Sequence, residues 1–86
     1  MHVKQDIRDF VTANFYVANP AALADGDSLL DHGIIDSTGV LEVIAYIEET
    51  FGIVVADEEM IPENLDSIER IASFVERKRA VNALAA

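Results

Sequence analysis

The sequence predicts an all-α domain that forms a bundle of three main helices and one short helix. Three stretches place apolar residues at intervals of three or four positions, which is the spacing of a helix with one buried face. The strand-like run at residues 53–55 is too short to form a sheet by itself, so we expect an extended linker there. The 86 residues have the size of one domain, with residues 1–79 as the domain and residues 80–86 as a tail or an extension of the last helix.

The first helix is expected over residues 3–15. Pro20 ends the helical pattern because proline lacks an N–H and disfavours helix in the residue before it. A connection over about residues 17–35 follows, and it is long for a small domain. We expect its apolar residues to hold it against the core; they are Leu29, Leu30, Ile34 and Ile35.

The second helix is expected to begin at Asp36 or Ser37 and to run to about Thr50. Asp36 can accept hydrogen bonds from the free N–H groups of the first turn, and its charge suits the positive end of the helix dipole. Gly52 is a suitable terminator. The apolar stripe of this helix consists of Val40, Val43, Ile44, Ile47 and Phe51.

Two helices are predicted in the C-terminal part. Residues 57–60 form a short helix that Pro62 ends. Asp66 and Glu69 have the spacing of a capping box, with Asp66 as the cap of the last helix. That helix closes at residues 77–79, three cations placed where the C-terminal carbonyls favour them. Its inner stripe consists of Ile68, Ile71, Ala72, Phe74 and Val75.

Charge is distributed unevenly along the chain. Sixteen acidic and six basic residues give a net charge of −10, and no Lys or Arg occurs between Arg8 and Arg70. This negative field predicts that the protein binds neither nucleic acid nor anionic membranes, and that it attracts basic protein surfaces. An acidic surface also keeps small domains in solution, so charge alone does not assign a function.

The composition argues against several classes of site. The chain has no cysteine, and its histidines are His2 and His32, so we expect neither a disulfide nor a zinc site. The N-terminus lacks the apolar core of a signal peptide, and no apolar run approaches the roughly 20 residues of a membrane span. We therefore expect a cytoplasmic protein.

An EF-hand does not fit the acidic loop. Asp25 and Asp27 match the first and third positions of a calcium loop. Leu29 and Leu30 then stand where the loop needs an oxygen ligand and a glycine. We predict no metal site.

A small hydrolase would use Ser37 with His32 and Asp36. The chain lacks the G-x-S-x-G motif, and Asp36 is adjacent to the serine rather than positioned behind the histidine. We predict no catalytic residue.

Ser37 itself lies at the predicted start of a helix. A serine there is ordinarily a cap, but Asp36 can serve as the cap and leave the Ser37 hydroxyl free to point outward. A helix N-terminus also favours a phosphate, through its unpaired N–H groups and its dipole. Ser37 is therefore a candidate for a phosphate-linked modification.

Three motifs occur in a specific order. The run Gly-Ile-Ile-Asp-Ser lies at residues 33–37, Glu42 follows, and the run Ile-Glu-Glu-Thr-Phe-Gly-Ile lies at residues 47–53. With these motifs, the chain from Asp27 to Val75 resembles the acyl carrier and peptidyl carrier proteins. The resemblance implies an acyl-carrier-like helical bundle.

The resemblance implies that Ser37 is the attachment point of a 4′-phosphopantetheine group. Asp36 would help a separate phosphopantetheinyl transferase to orient coenzyme A and magnesium. The thiol of the attached group would hold acyl or aminoacyl cargo as a thioester, and the chain itself would not be an enzyme. Family members present the second helix to their partners, and by position this partner face would consist of Thr38, Leu41, Glu42, Ala45, Glu48 and Glu49.

Two positions depart from the pattern of the fatty-acid carriers. Thr38 stands where those proteins usually have leucine, and Gly39 where they often have an acid. The motif is closer to stand-alone aminoacyl carriers of the D-alanyl kind, and residues 62–68 resemble peptidyl carriers. We therefore expect an aminoacyl or specialised acyl cargo. We also expect Gly39 to loosen the helix start, since glycine costs about 1 kcal/mol there against alanine.

Besides the transferase, the expected partners are an acyl- or aminoacyl-loading ligase and downstream acyl-transfer or condensing enzymes. We expect the carrier to be a monomer. The alternative from another functional class is an unmodified acidic helical domain that uses the same helix face only for docking.

Overall fold

The computed structural model describes residues 2–85, with side chains as far as Val81. All regular structure in this part of the chain is helical, so the predicted all-α bundle is confirmed. None of the described helices has the length and apolarity that crossing a membrane would require. The helices are α1 (Val3–Asn14), α2 (Ser37–Phe51), α3 (Pro62–Leu65) and α4 (Ile68–Ala85), with 3₁₀ turns at Pro20–Ala22 and Asp57–Glu59.

One hydrophobic core lies between the helices, and α1 packs along α4. The stripes predicted for α2 and α4 are buried where they face this core. Apolar side chains at helical spacing lie on one face of a helix, and burial of that face removes them from water. The buried residues of the three long helices are Val3, Ile7 and Val11 of α1, Val43, Ile44 and Ile47 of α2, and Ile68, Ile71, Ala72, Phe74 and Val75 of α4.

The long connection between α1 and α2 is held at two of the four predicted apolar positions. Leu29 and Ile35 are buried, and Ile34 is half-buried. The prediction for Leu30 is wrong, since this side chain is 40% exposed. Its backbone N–H instead donates to the Asp66 carboxylate at 2.9 Å, so a polar contact holds the backbone while the side chain remains outside.

Both predicted ends of α2 are confirmed. The Asp36 side chain accepts a hydrogen bond from the Gly39 N–H at 2.8 Å, which satisfies one free donor of the first turn. Gly52 ends the helix in the left-handed region with φ of 67°, a conformation that glycine adopts without a Cβ penalty. Residues 53–55 form neither a helix nor a strand, which agrees with the predicted linker.

Gly39 plays a different part from the one predicted. It is buried, and an added Cβ would lie 3.1 Å from Cε1 of Phe15 and 3.2 Å from Cβ of Ile35. The missing side chain lets the end of α1 pack directly against the first turn of α2. Gly39 is therefore a site of close packing rather than a loose point.

The C-terminal part requires two corrections at its helix starts. Pro62 begins α3 rather than ending a helix, because proline suits the first turn, where no N–H is needed. The cap of α4 is Ser67, whose hydroxyl accepts from the Arg70 N–H at 3.0 Å. Asp66 instead accepts hydrogen bonds from Ser28 and Leu30 of the long connection, at 2.5 and 2.9 Å.

The end of α4 also differs from the prediction. The helix does not close at residues 77–79 but runs to Ala85, and its last turn contains no basic residue. The cations therefore lie inside the helix, where they contact other elements of the fold.

Candidate functional site

Ser37 is the first residue of α2 and is exposed. Its hydroxyl has no hydrogen-bond partner among the described residues. Asp36 supplies the cap through its carboxylate, and its carbonyl accepts the N–H of Val40 at 2.9 Å. The division expected from the sequence, with the aspartate as cap and the serine free, is the geometry observed.

The other three serines of the chain are placed differently. Ser28 donates its hydroxyl hydrogen bond to Asp66, and Ser67 is buried and caps α4. Ser73 is exposed but lies in the interior of α4. Ser37 is therefore the serine that combines an exposed, unengaged hydroxyl with a helix N-terminus.

An apolar groove of about 350 Å³ lies beside Ser37. α2 forms one side with Val40, Leu41 and Ile44, and the segment that leads into α3 forms the other with Met60 and Ile61. Leu30, from the long connection, borders the groove as well. Three elements that are distant in sequence thus meet next to the serine.

No pattern in the sequence predicts this groove. Leu30, Leu41 and Ile61 are large apolar residues that are 40%, 60% and 41% exposed. The sequence predicts Leu41 on the partner face and Leu30 against the core, and it assigns no role to Ile61. A single apolar residue in front of Pro62 is a weak signal, because only the folded chain brings it opposite α2.

The expected partner face is exposed at five of its six positions. Thr38, Leu41, Glu42, Ala45 and Glu49 are exposed. Glu48 is half-buried, and its carboxylate accepts the N–H of Val55 at 2.9 Å. Glu48 therefore helps to hold the segment that follows α2. Glu42 and Glu49 are the acidic side chains of this face that have no partner among the described residues.

The residues of the hydrolase alternative are not brought together. His32 lies 4.0 Å from Asp27 and lines a different cavity from Ser37. Asp36 is occupied as the helix cap.

Two carboxyl groups outside the groove lining have lowered pKa values, one in the segment before α3 and one in the connection between α1 and α2. The hydrogen bond from Lys78 and the N–H of Ala56 lower the pKa of Glu59. The hydrogen bond from Arg8, at 2.6 Å, lowers the pKa of Asp25. Both interactions favour the ionised carboxylate, so Glu59 and Asp25 hold their segments in place as charged side chains.

Comparison with known proteins gives three matches. The family model described as phosphopantetheine attachment site matches residues 5–75. The chain is similar to an acyl carrier protein of Campylobacter hominis, with 36% identity over 76 residues that cover 88% of this chain and 92% of the relative. It is also similar to a D-alanyl carrier protein of Abiotrophia defectiva, with 34% identity over 53 residues, or 62% of this chain and 67% of the relative.

Proposed function

The chain belongs to the family defined by the phosphopantetheine attachment site, and from that premise we propose that Ser37 is the residue that bears the 4′-phosphopantetheine group. The protein is a carrier, and the attached group supplies a thiol on which cargo is held as a thioester. The chain has no cysteine of its own, so that thiol comes from the group.

The observation that carries the assignment is the free, exposed hydroxyl of Ser37 at the start of α2. In the modification, the Ser37 oxygen forms a bond to the phosphorus that bears the pantetheine in coenzyme A. The phosphoanhydride breaks, adenosine 3′,5′-bisphosphate leaves, and a base of the transferase takes the serine proton. The product phosphodiester is an anion, which the N-terminal end of a helix stabilises.

Asp36 has two parts in this proposal. As cap it keeps the first turn of α2 formed and turns Ser37 outward. The exposed carboxylate next to the serine also supports the modification, by helping the transferase to position magnesium and coenzyme A.

For the cargo, we propose an aminoacyl or specialised acyl group. The similarity to a D-alanyl carrier protein supports this choice, together with Thr38 and Gly39 after the serine. A loading ligase and downstream acyl-transfer or condensing enzymes would then be the partners, met in the cytoplasm by a monomer that catalyses no step itself.

Those partners would dock on the exposed face of α2. Leu41 offers an apolar contact, and Glu42 and Glu49 offer carboxylates to basic partner residues. Contacts of this kind form fast and weaken with salt, which suits a shuttle that must be released.

The site assignment is tested by incubating the unmodified protein with a phosphopantetheinyl transferase, magnesium and coenzyme A. Intact mass should rise by one phosphopantetheine group in the wild type and in Ser73→Ala, whose serine is also exposed. The mass of Ser37→Ala should stay unchanged while its helical circular dichroism matches the wild type. Uptake of the group by Ser37→Ala would disprove the assignment.

A further inference from the structure

The segment that forms the outer wall of the groove lacks buried anchors of its own. Between the buried residues Val55 and Leu65, no side chain is buried, although Met60 packs partly against the core. We call residues 56–64 the groove wall. Because burial of apolar surface is the main force that holds a segment in place, the groove wall must depend strongly on polar contacts.

Those polar contacts converge on Glu59. Its carboxylate oxygen Oε1 accepts hydrogen bonds from Lys78 Nζ of α4 at 2.8 Å and from the N–H of Ala56 at 2.9 Å. The side chains of Glu59 and Lys78 are 28% and 24% exposed, so water screens this pair less than it screens a surface ion pair.

A second set of contacts supports the same segment. Asn64 donates its side-chain N–H to the carbonyl of Glu59 at 2.9 Å, and Arg77 of α4 donates to the Asn64 oxygen at 3.0 Å. Arg70 of α4 also donates to the carbonyl of Pro62 in the wall, at 3.4 Å. Three cations of α4 therefore contact the groove wall.

One side of the groove wall lies toward α4 and the other side borders the groove next to α2. α3 lies against α4 and makes few contacts with α2, and the groove occupies the space between α3 and α2. Met60 and Ile61 of the wall face Leu41 and Ser37 of α2 across this groove. Movement of the wall relative to α4 would therefore change the width of the groove.

From these contacts we propose that Lys78 and Glu59 form a latch that holds the groove wall against α4 and thereby sets the width of the groove beside Ser37. Lys78 is a positioning residue, since it acts on the groove through Glu59 and the wall. The contacts of the latch are independent of Ser37, whereas its consequence for the attached group rests on the proposed function.

The test compares amide hydrogen exchange in Lys78→Met, Glu59→Gln and the wild type, on the full unmodified chain. We expect amides within residues 56–64 to exchange about three- to tenfold faster in Lys78→Met, with α1 and α2 unchanged. Lys78→Arg should restore protection. In the double variant that combines Lys78→Met with Glu59→Gln, the same amides should exchange no faster than in Lys78→Met, since the two residues act through one contact.

Groove width is followed separately by methyl NOEs between Leu41 and Ile61, which should weaken in Lys78→Met. The matched control is Lys4→Met, which removes a lysine that lies 3.8 Å from Asp25. Unchanged exchange in Lys78→Met, equal acceleration in all helices, or the same effect in Lys4→Met would overturn the latch. Failure of Ser37 modification would leave this measurement unaffected, so the two proposals fail separately.

Discussion

Asp36 combines a structural and a proposed functional role in one side chain. Its carboxylate caps α2 through the Gly39 N–H, and it stands beside the serine that we propose is modified. A substitution that keeps the cap but removes the charge separates these roles, since asparagine caps helices about as well as aspartate.

We predict that Asp36→Asn retains nearly the full free energy of unfolding, whereas Asp36→Ala loses about 1 kcal/mol because the first-turn donor is left without its partner. Both variants should accept the phosphopantetheine group more slowly than the wild type. Urea denaturation and the initial rate of mass increase provide the two measurements. An Asp36→Asn protein modified at the wild-type rate would leave only the capping role.

The cap of α4 is a feature that could not be predicted from the sequence alone. Asp66 and Ser67 are adjacent, and either could cap α4 on local rules. The choice depends on Ser28 and Leu30, nearly 40 positions earlier in the chain, which occupy the Asp66 carboxylate and leave Ser67 as the cap. No distant residue of the described chain occupies the Asp36 carboxylate, and the prediction that Asp36 caps α2 is confirmed.

At the scale of helices, the absence of a side chain at Gly39 lets Phe15, at the end of α1, lie close to the first turn of α2. An alanine there would gain about 1 kcal/mol in helix propensity but would press against Phe15 and the buried Ile35. Overpacking in a close contact costs about 1–3 kcal/mol, so the clash outweighs the propensity.

We therefore predict that Gly39→Ala lowers the free energy of unfolding by about 1 kcal/mol, measured by urea denaturation. Gly26→Ala is the matched control, because its Cβ would meet only the flexible end of Glu69 at 3.5 Å. Stabilisation of Gly39→Ala would mean that Phe15 moves aside without cost.

The end of a helix could be predicted from the sequence where a single residue determines it. It could not be predicted where contacts between several elements determine it. Gly52 ends α2 because its own backbone conformation satisfies the helix end. The extension of α4 to Ala85 has no comparable local sign. The three cations at residues 77–79 looked like a helix end, but Lys78 and Arg77 contact Glu59 and Asn64 instead.

At the scale of the whole molecule, acid should weaken specific ion pairs. The pKa of Asp25 is lowered from its ordinary value of 3.8, chiefly by the hydrogen bond from Arg8. A carboxyl group whose pKa is lower in the folded state contributes stability above its unfolded pKa, and this contribution is lost as pH falls through the folded pKa.

We accordingly predict that the wild type is more stable than Asp25→Asn at neutral pH, and that the difference shrinks as pH falls below 3.8. Urea denaturation from pH 7 to pH 3 measures the difference. Glu58→Gln, which removes an exposed acid with no partner among the described residues, is the matched control. A constant difference for Asp25→Asn would contradict the assignment to the Arg8 pair.

The groove beside Ser37 is formed by separate elements of the whole molecule, which explains why it could not be predicted from the sequence. Leu30, Leu41 and Ile61 are ordinary apolar residues in separate parts of the chain. Their common exposure around one space follows from the placement of the long connection and α3 on the bundle. The stripes of the long helices, in contrast, follow from spacing within each helix.

The absence of cysteine from the chain has a practical consequence. A maleimide has no sulfhydryl of the polypeptide to label, so the number of labels per molecule counts attached groups whose thiol is unoccupied. Together with the intact mass, this count separates three forms of the carrier: the bare polypeptide, the form with a free thiol, and the form whose thiol is already esterified.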